Sequence, residues 1–298
     1  MQLSRNKFLW CDVTLWLSIL SGSALLSGCA TTGGNAEFLV YQDAFKTTDS
    51  VAQSVLDRMA VSERVLLKMQ NSDETLMNIE FKPENAQYYV TDAEPPITRS
   101  LRNSFKLVST YGEALAALAS GESANLMASR VSKLASLAAK AMSTSPANIF
   151  LEPLSSSVQV IDPVSAFEPL IAFAYTQRTR QEFQQRLLAD YQNIDAVLVS
   201  MHRSTPQIFD VMKTQYRQTA EMAGGDREDE AVLNDIKQLR ALMSHLVLLI
   251  NHSRLALTQA KTAIESPNPR GFLGGILSSA QELEAVAQGV RNNLLKLN

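Results

Sequence analysis

Three histidines are the side chains of this sequence that could bind a transition metal. His245 and His252 stand seven positions apart in a stretch with helical periodicity, so they share one face about 10 Å apart along the axis. Zinc ligands on a single helix usually stand three or four positions apart. His202 belongs to another helical stretch, shortly before Pro206. The spacing therefore predicts ordinary polar contacts at helix flanks, and no metal site is expected.

The acidic run Asp226-Arg227-Glu228-Asp229-Glu230 has the carboxylate density of a cation site. It lacks the alternating oxygen ligands of a calcium-binding loop. It also follows Gly224-Gly225 and opens a helical pattern, where acidic side chains complement the helix dipole. The run is therefore interpreted as the start of a helix, with Asp226 as its N-cap.

Residues 176–186 form the densest basic and glutamine-rich tract of the chain. Arg178, Arg180 and Arg186 could meet the carboxylates of peptidoglycan or the acidic groups of a protein partner. Nearby acidic side chains balance them, so the pattern favours a solvated helix face over a binding site.

The sequence contains no motif for covalent catalysis or for phosphate binding. A Gly-x-Ser-x-Gly elbow and a phosphate-binding glycine loop are both missing, and the glycines at 271–275 are typical of a loose helix start. A carboxylate pair for glycan hydrolysis needs no fixed spacing, so a peptidoglycan-acting enzyme stays open as an alternative. No catalytic residue and no cofactor is predicted.

Cys29 is the residue with the clearest predicted chemistry. Arg5 and Lys7 precede an apolar run of about 14 residues that ends at Leu26, which is within the range of a secretory signal and short of the roughly 20 residues of a spanning helix. The stretch Leu26-Ser27-Gly28-Cys29 resembles the lipobox of bacterial lipoproteins position by position. This resemblance covers four residues and defines a class of processed proteins, with no particular fold.

The lipobox resemblance implies that Cys29 receives a lipid through a thioether bond. The chain is then cleaved before Cys29, and the new amino terminus is acylated. Three acyl chains, at about 0.8 kcal/mol per buried CH2, attach a protein stably, whereas one chain is marginal. Ala30 follows the cysteine, and by resemblance this favours the periplasmic face of the outer membrane, because an Asp there favours retention in the inner membrane. A plain signal peptide or an uncleaved anchor is the alternative. The predicted divisions are a signal peptide at 1–28, a flexible tether at 29–36 and a helical domain at 37–298.

Composition limits the partners and the fold class. The chain has 27 Lys and Arg against 30 Asp and Glu, and removal of residues 1–28 leaves 25 against 29, a formal charge of about −4. An acidic surface gives no basis for binding nucleic acid. Of the two cysteines, Cys11 is lost with the signal and Cys29 carries lipid, so no intrachain disulfide is expected. Only 12 Gly and 10 Pro in 298 residues indicate a mostly helical protein.

Apolar and small residues recur at helical spacing over most of the chain. The first series steps by three and four without a slip, through Phe38, Tyr41, Phe45, Thr48, Ala52, Val55, Met59, Ser62, Leu66 and Met69. Every residue from 246 to 250 is apolar, so that helix is expected to be surrounded on most sides. We predict an all-α fold, an elongated antiparallel bundle of five to seven helices with proline-containing excursions at 71–96 and 143–165. The predicted helices begin near residues 38, 96, 126, 164, 232 and 272, the fourth with a kink or break at Pro206.

An anchor, a helical bundle and the lack of a catalytic motif together predict a lipid-anchored periplasmic scaffold or an accessory subunit of a cell-envelope assembly. Its expected partners are the membrane, through the lipid on Cys29, and an envelope protein that contacts the two excursions. The alternative is a small-molecule or lipid-binding module whose adaptable cavity is lined by Met59, Met69, Met201, Met212 and Met243.

Overall fold

The computed structural model describes residues 35–70, 81–143, 163–174, 179–222, 229–266 and 269–297. Every regular element in these ranges is a helix, which confirms the predicted all-α class. The eight α-helices are α1 (Asn35–Gln70), α2 (Ala86–Tyr89), α3 (Pro96–Ala119), α4 (Ala124–Ser143), α5 (Pro163–Ala174), α6 (Arg180–Met222), α7 (Asp229–Glu265) and α8 (Leu273–Lys296). Two 3-10 turns, Pro83–Asn85 and Pro269–Phe272, precede α2 and α8.

The helix count in the described residues exceeds the expected five to seven for two local reasons. The four-residue α2 lies within the first predicted excursion, and the long helix expected from Val164 is divided into α5 and α6. Of the first excursion, residues 81–95 are described, and most of the second, 144–162, lies outside the described residues.

A capping box at Thr179 and Glu182 starts α6. The Glu182 carboxylate accepts the Thr179 backbone N–H at 2.7 Å, and the Thr179 hydroxyl accepts the Glu182 N–H at 3.3 Å. The rings of Phe173 in α5 and Phe183 in α6 are 5.4 Å apart. Ten residues of one straight helix would separate them by about 15 Å. The axes of α5 and α6 therefore do not continue one another.

Pro206 lies inside α6 without ending it. A proline cannot donate to the carbonyl four positions earlier, which here is that of His202. The hydroxyl of Thr205 donates to this carbonyl at 2.7 Å and replaces the missing backbone bond. Of the two outcomes expected at Pro206, the helix break therefore does not occur.

The predicted seam of α1 is buried from Phe38 to Ser62. Its polar members pack because their hydroxyls bond within the helix: Thr48 donates to the carbonyl of Ala44 at 2.8 Å, and Ser62 to that of Arg58 at 3.2 Å. Leu66 is half-buried, and the side chain of Met69 lies outside the description. The seam joins one continuous apolar core with residues of α3 to α8.

Neighbouring side chains fix the directions of the last two helices. Three pairs, each seven residues from the next, join α7 to α8: His245 with Gly289, His252 with Glu282, and Gln259 with Gly275. Because the residue numbers rise along α7 while they fall along α8, these helices are antiparallel. The α6 and α7 helices are also antiparallel, since Asp195 pairs with Arg254 and Gln184 donates to the carbonyl of Ile264.

The helices α1 and α3 are antiparallel, since the Ser109 hydroxyl donates to the Phe45 carbonyl and Arg102 pairs with Asp57. The start of α3 therefore lies beside the end of α1, and α8 ends there too, because its final carbonyls bind Arg58. We call this the far end of the bundle, and the end where α1 begins the near end.

The helix α7, which was expected to be surrounded on most sides, has one face exposed to solvent along its apolar run. Leu248 is 44% exposed and Leu255, seven positions later on the same face, is 43% exposed. The apolar run from 246 to 250 therefore includes one solvent-facing position. None of the helices in the described ranges combines the length and the apolar character needed to cross a membrane.

Candidate functional site

Most residues singled out from the sequence either lie outside the described residues or take part in contacts within or between helices. Cys29, residues 226–228 and Arg178 lie outside the described residues, and the side chain of Arg180 is not described. Glu230, the last acid of the 226–230 run, is exposed in the first turn of α7.

The three histidines lie on α6 and α7. His245 packs its ring against Gly289, and His252 places Nδ1 3.4 Å from the Glu282 carboxylate. His202 is half-buried on α6 beside the Thr205 hydroxyl. Within the described ranges, no three His, Cys, Asp or Glu side chains form a group that could hold a metal ion.

Arg186 is not part of a solvated face. Its guanidinium donates from Nε to the Asp190 carboxylate at 2.7 Å, and a second bond from Nη2 makes the pair bidentate. Asp190 is fully buried, and this burial raises its pKa while the Arg186 guanidinium opposes the shift. Arg186, one of the three arginines that could have met a ligand, is therefore paired with a buried acid.

The most elaborate polar site that the structure describes is centred on Glu63 of α1. This side chain is only 3% exposed, yet its carboxylate accepts four hydrogen bonds. Oε2 accepts the backbone N–H and the hydroxyl of Thr98 at 2.9 and 2.8 Å, and Oε1 accepts the Ile97 N–H and the Tyr88 hydroxyl, each at 3.1 Å. Burial raises the pKa of Glu63, and the four donors oppose that shift.

Glu63 acts as the missing cap of α3. The first backbone N–H groups of a helix have no intrahelical acceptor, and a capping side chain usually supplies one. The N-cap residue of α3 is Pro95, which offers no such side chain. The carboxylate from α1 therefore takes over this role and complements the positive end of the helix dipole.

The next residue of α1 binds the chain that leads into α3. Arg64 donates to the carbonyl of Thr91 at 3.0 Å and to that of Ala93 at 2.6 Å. From α3, Arg102 binds Glu94 of this segment. We call Glu63, Arg64 and Arg102 the clamp, since together they hold the two ends and the middle of residues 88–98 against α1.

Arg102 also fastens the clamp to α1 itself. Its guanidinium donates to the Gln53 side chain at 2.6 Å and to the Asp57 carboxylate at 2.8 Å. One cation thus joins two residues of α1 to Glu94 of the held segment. Hydrogen bonds to charged groups are stronger than those between neutral groups, so the bonds of Arg102 fix the segment in place.

The clamped segment turns Tyr88 inward, while its residues Tyr89 and Val90 and the preceding Phe81 are exposed. Tyr88 reaches Glu63, and burial and that carboxylate raise the pKa of its hydroxyl. The adjacent Tyr89 is 42% exposed, Val90 52% and Phe81 73%, and the rings of Phe81 and Tyr89 are 5.9 Å apart. We call Phe81, Tyr89 and Val90 the display surface.

Sequence reasoning missed Glu63, although one signal was present. Ser62 and Leu66 are consecutive positions of the predicted α1 seam. Glu63 lies between them, and a glutamate outside the seam is typical of an exposed helix position. The usable signal was in α3, where Pro95-Pro96 opens a helix without any of the side chains that commonly cap one. A long helix without its own cap implies an acceptor from elsewhere in the fold.

Comparisons with known proteins supply no identity for the chain: no protein-family model, no curated protein and no solved structure matches it.

Proposed function

We propose that this protein is a lipid-anchored, non-catalytic scaffold or accessory subunit of a bacterial cell-envelope assembly. In this proposal residues 1–28 are a signal peptide, Cys29 carries the lipid, and the helical domain stands on a short tether at the periplasmic face of the outer membrane. The support is the lipobox pattern together with the use that the helical domain makes of its buried charges.

The observation that carries this proposal is that buried ionisable groups hold helices together. Glu63 of α1 caps the start of α3. Arg58 donates to the carbonyls of Leu294 and Leu297 at 3.2 and 3.3 Å and so caps the end of α8. A cation at a helix C-terminus and an anion at an N-terminus both have the sign that the helix dipole favours. The contacts of these groups stabilise the ends of helices, as expected for residues with a structural role.

The geometry of α1 also suits a spacer. Residues 30–34 separate Cys29 from Asn35, where α1 begins, and α1 contains 36 residues, which corresponds to about 54 Å of helix. An anchor at Cys29 would hold the near end close to the bilayer and direct the far end away from it.

The alternative of a ligand-binding module finds less support. Met59, Met201, Met212 and Met243 are all buried members of the continuous apolar core, beside leucine, phenylalanine and alanine side chains. Methionine commonly fills irregular gaps in such a core. Met69 lies outside the description of side chains.

The direct test is metabolic labelling with an alkyne fatty acid in a Gram-negative host, followed by separation of the two membranes. Wild type and Cys11→Ser are expected to carry the label and to sediment with the outer membrane, and Cys29→Ser to lose both properties. Equal labelling of Cys29→Ser and wild type would overturn the proposal. Turnover of purified glycan strands by the full chain would overturn its non-catalytic part.

A further inference from the structure

We propose that residues 85–95, which we call the strap, are a latch that opens and closes as one unit while the helices beneath it stay folded. The inference goes beyond the proposed scaffold function and does not depend on a lipid at Cys29. It rests on three properties of the strap. The strap adds nothing to the apolar core, side chains of α1 and α3 hold it by polar bonds, and its closed form leaves buried polar atoms without partners.

The strap is attached to the bundle without apolar packing. None of its residues belongs to the continuous apolar core or packs against the edge of that core. Its only buried residues are Asn85 and Pro95, one at each end, and every residue from 89 to 92 is exposed. Burial of apolar surface is the main favourable term in folding, so opening the strap gives up little of the stability of the bundle.

Polar bonds from both helices hold the strap closed, and they alternate between the helices. Their pairs are Glu63 with the Tyr88 hydroxyl, Arg64 with the carbonyls of Thr91 and Ala93, Arg99 with the Gln87 side chain, and Arg102 with the Glu94 carboxylate. Positions 87 and 94 are thus bonded to α3, and their neighbours 88 and 93 to α1. Because adjacent strap residues are tied to different helices, neither half can follow one helix alone. The strap must therefore leave both helices together.

The closed strap carries buried polar atoms that oppose its closure. Asn85 is 0% exposed, and neither its amide nitrogen nor its amide oxygen has a hydrogen-bond partner. Arg64 and Arg99 hold the strap through Nη2, while the Nε of each is buried and unpaired. A buried polar atom without a partner has lost its bonds to water, and exposure restores them. These four atoms therefore favour the open strap and keep the latch close to balance.

The helices beneath the strap keep their own contacts when it opens. Glu63 still caps α3 through the backbone N–H groups of Ile97 and Thr98. Arg102 still binds the Asp57 carboxylate of α1. The core residues that join α1 to α3 are not strap residues and stay packed. Opening is therefore a local event, of the kind that requires less free energy than unfolding of the whole bundle.

The two states of the strap present different surfaces. In the closed state Tyr89 and Val90, the part of the display surface that belongs to the strap, are held in one place. The open state releases them and exposes the Glu63 carboxylate and the Nε groups of Arg64 and Arg99. A molecule that binds one state better than the other shifts the latch by that difference in affinity. The strap therefore lets the bundle change its surface without changing its core.

Thiol labelling of the full chain with 4,4′-dithiodipyridine tests the latch. Cys11→Ser and Cys29→Ser remove the native thiols, Asn85→Cys reports on the strap, and Ser279→Cys, at a position of α8 that is 3% exposed, reports on the core. We expect position 85 to react at least tenfold faster than 279, with little dependence on urea, because the surface exposed by an opening sets its urea dependence. The same rate and urea dependence at both positions would overturn the inference. Reaction at 85 as fast as that of free cysteine would also overturn it, since the strap would then not be closed.

Two acids of the strap test whether it moves as one unit. Glu94→Gln removes the carboxylate that binds Arg102, and the control Asp92→Asn changes an exposed acid that accepts the hydroxyl of its neighbour Thr91. We expect Glu94→Gln to speed labelling at 85, the other end of the strap, at least tenfold, and Asp92→Asn to change it less than twofold. The rate at 279 should stay the same in both. Chymotrypsin cleavage within the strap repeats the comparison without a reporter thiol, and equal rates for the two variants would show that the ends of the strap move separately.

Discussion

The Glu63 carboxylate lies 2.9 Å from the backbone nitrogen of Thr98, and this bond ties the interior of α1 to the first turn of α3. The two residues are 35 positions apart. Helix α3 opens with Pro95 and Pro96 and has no cap from its own side chains. The start of one helix therefore depends on a buried acid that belongs to another.

Replacing that acid tests the dependence. In Glu63→Gln, the Ile97 and Thr98 N–H groups still approach the two side-chain termini, but one terminus is now an NH2 group that cannot accept. We expect a loss of about 1 to 3 kcal/mol in the free energy of unfolding, the usual cost of an unsatisfied buried donor. Urea unfolding followed by circular dichroism measures it. Glu284→Gln, at an exposed position of α8, is the control and should change stability by less than about 0.5 kcal/mol.

Two glutamates should give opposite dependences of stability on pH. Burial raises the pKa of Glu63 above its ordinary value of 4.5, and a hydrogen bond from Arg130 lowers that of Glu122. A raised pKa means that the stabilising contribution is present below pH 4.5 and is lost as pH rises through the folded-state pKa. A lowered pKa means the reverse: the contribution is present above pH 4.5 and is lost as pH falls through the folded-state pKa.

The measurement is urea unfolding of wild type, Glu63→Gln and Glu122→Gln over a series of pH values from about 3 to about 7. We expect the stability difference between wild type and Glu63→Gln to shrink as pH rises above 4.5. The difference for Glu122→Gln should shrink as pH falls below 4.5. Slopes of the same sign in both variants would contradict the assignment of the two shifts.

Gly289 leaves room for an imidazole between α7 and α8. A methyl group at this position would lie 2.8 Å from Cε1 and Nδ1 of His245, closer than any real contact. Gly289→Ala is expected to cost about 1 to 3 kcal/mol, as overpacking does. The control is Gly274→Ala on the same helix, where nothing lies within 4 Å and the better helix propensity of alanine should stabilise the protein by up to about 1 kcal/mol.

A double-mutant cycle shows whether the imidazole is the cause. His245→Ala removes the ring, so Gly289→Ala should cost less in that background. Thermal unfolding of the four proteins gives the coupling energy, and strict additivity would exclude a direct contact between the two side chains.

The Thr205 hydroxyl should matter because Pro206 follows it. The carbonyl of His202 already lacks a backbone donor because of Pro206, and in Thr205→Val it also loses the hydroxyl that replaces this donor, so we expect a loss of about 1 kcal/mol. In Pro206→Ala the backbone N–H is restored, so the same Thr205→Val change should then cost little. Chemical unfolding of the wild type and the three variants measures this, and an equal cost in both backgrounds would show that the hydroxyl does not compensate for the proline.

The apolar seam of α1 could be predicted from the sequence because a helix with one buried stripe repeats it every three or four residues. Even Thr48 and Ser62 were placed correctly, since their hydroxyls bond within their own helix. Leu248 could not be placed, because an apolar run does not indicate which of its faces a neighbouring helix covers. The same limit hid Glu63, whose partners are 25 to 35 residues distant in the sequence.

The division between α5 and α6 was readable and was missed. Thr179 and Glu182 have the spacing of a capping box, but the dense arginines and glutamines around them favoured an interpretation as an uninterrupted polar face. For the candidate site, the sequence pointed to the excursion at 71–96 as a contact region, and residues 88–95 of it are held by the clamp. It could not indicate the clamp, which forms only when α1 and α3 pack side by side.

The bonds from Arg58 to the last turn of α8 join residues 236 and 239 positions apart. A ribosome makes α1 first among the described helices and the end of α8 last. The face of α1 that packs against α8 must therefore stay uncovered until α8 has been made, whereas the face that packs against α3 can be covered earlier. Folding that closes such a distant contact is slow compared with local helix pairing, because the entropy of a long loop is lost before the contact forms. This part of the core therefore closes only after α8 has been synthesised.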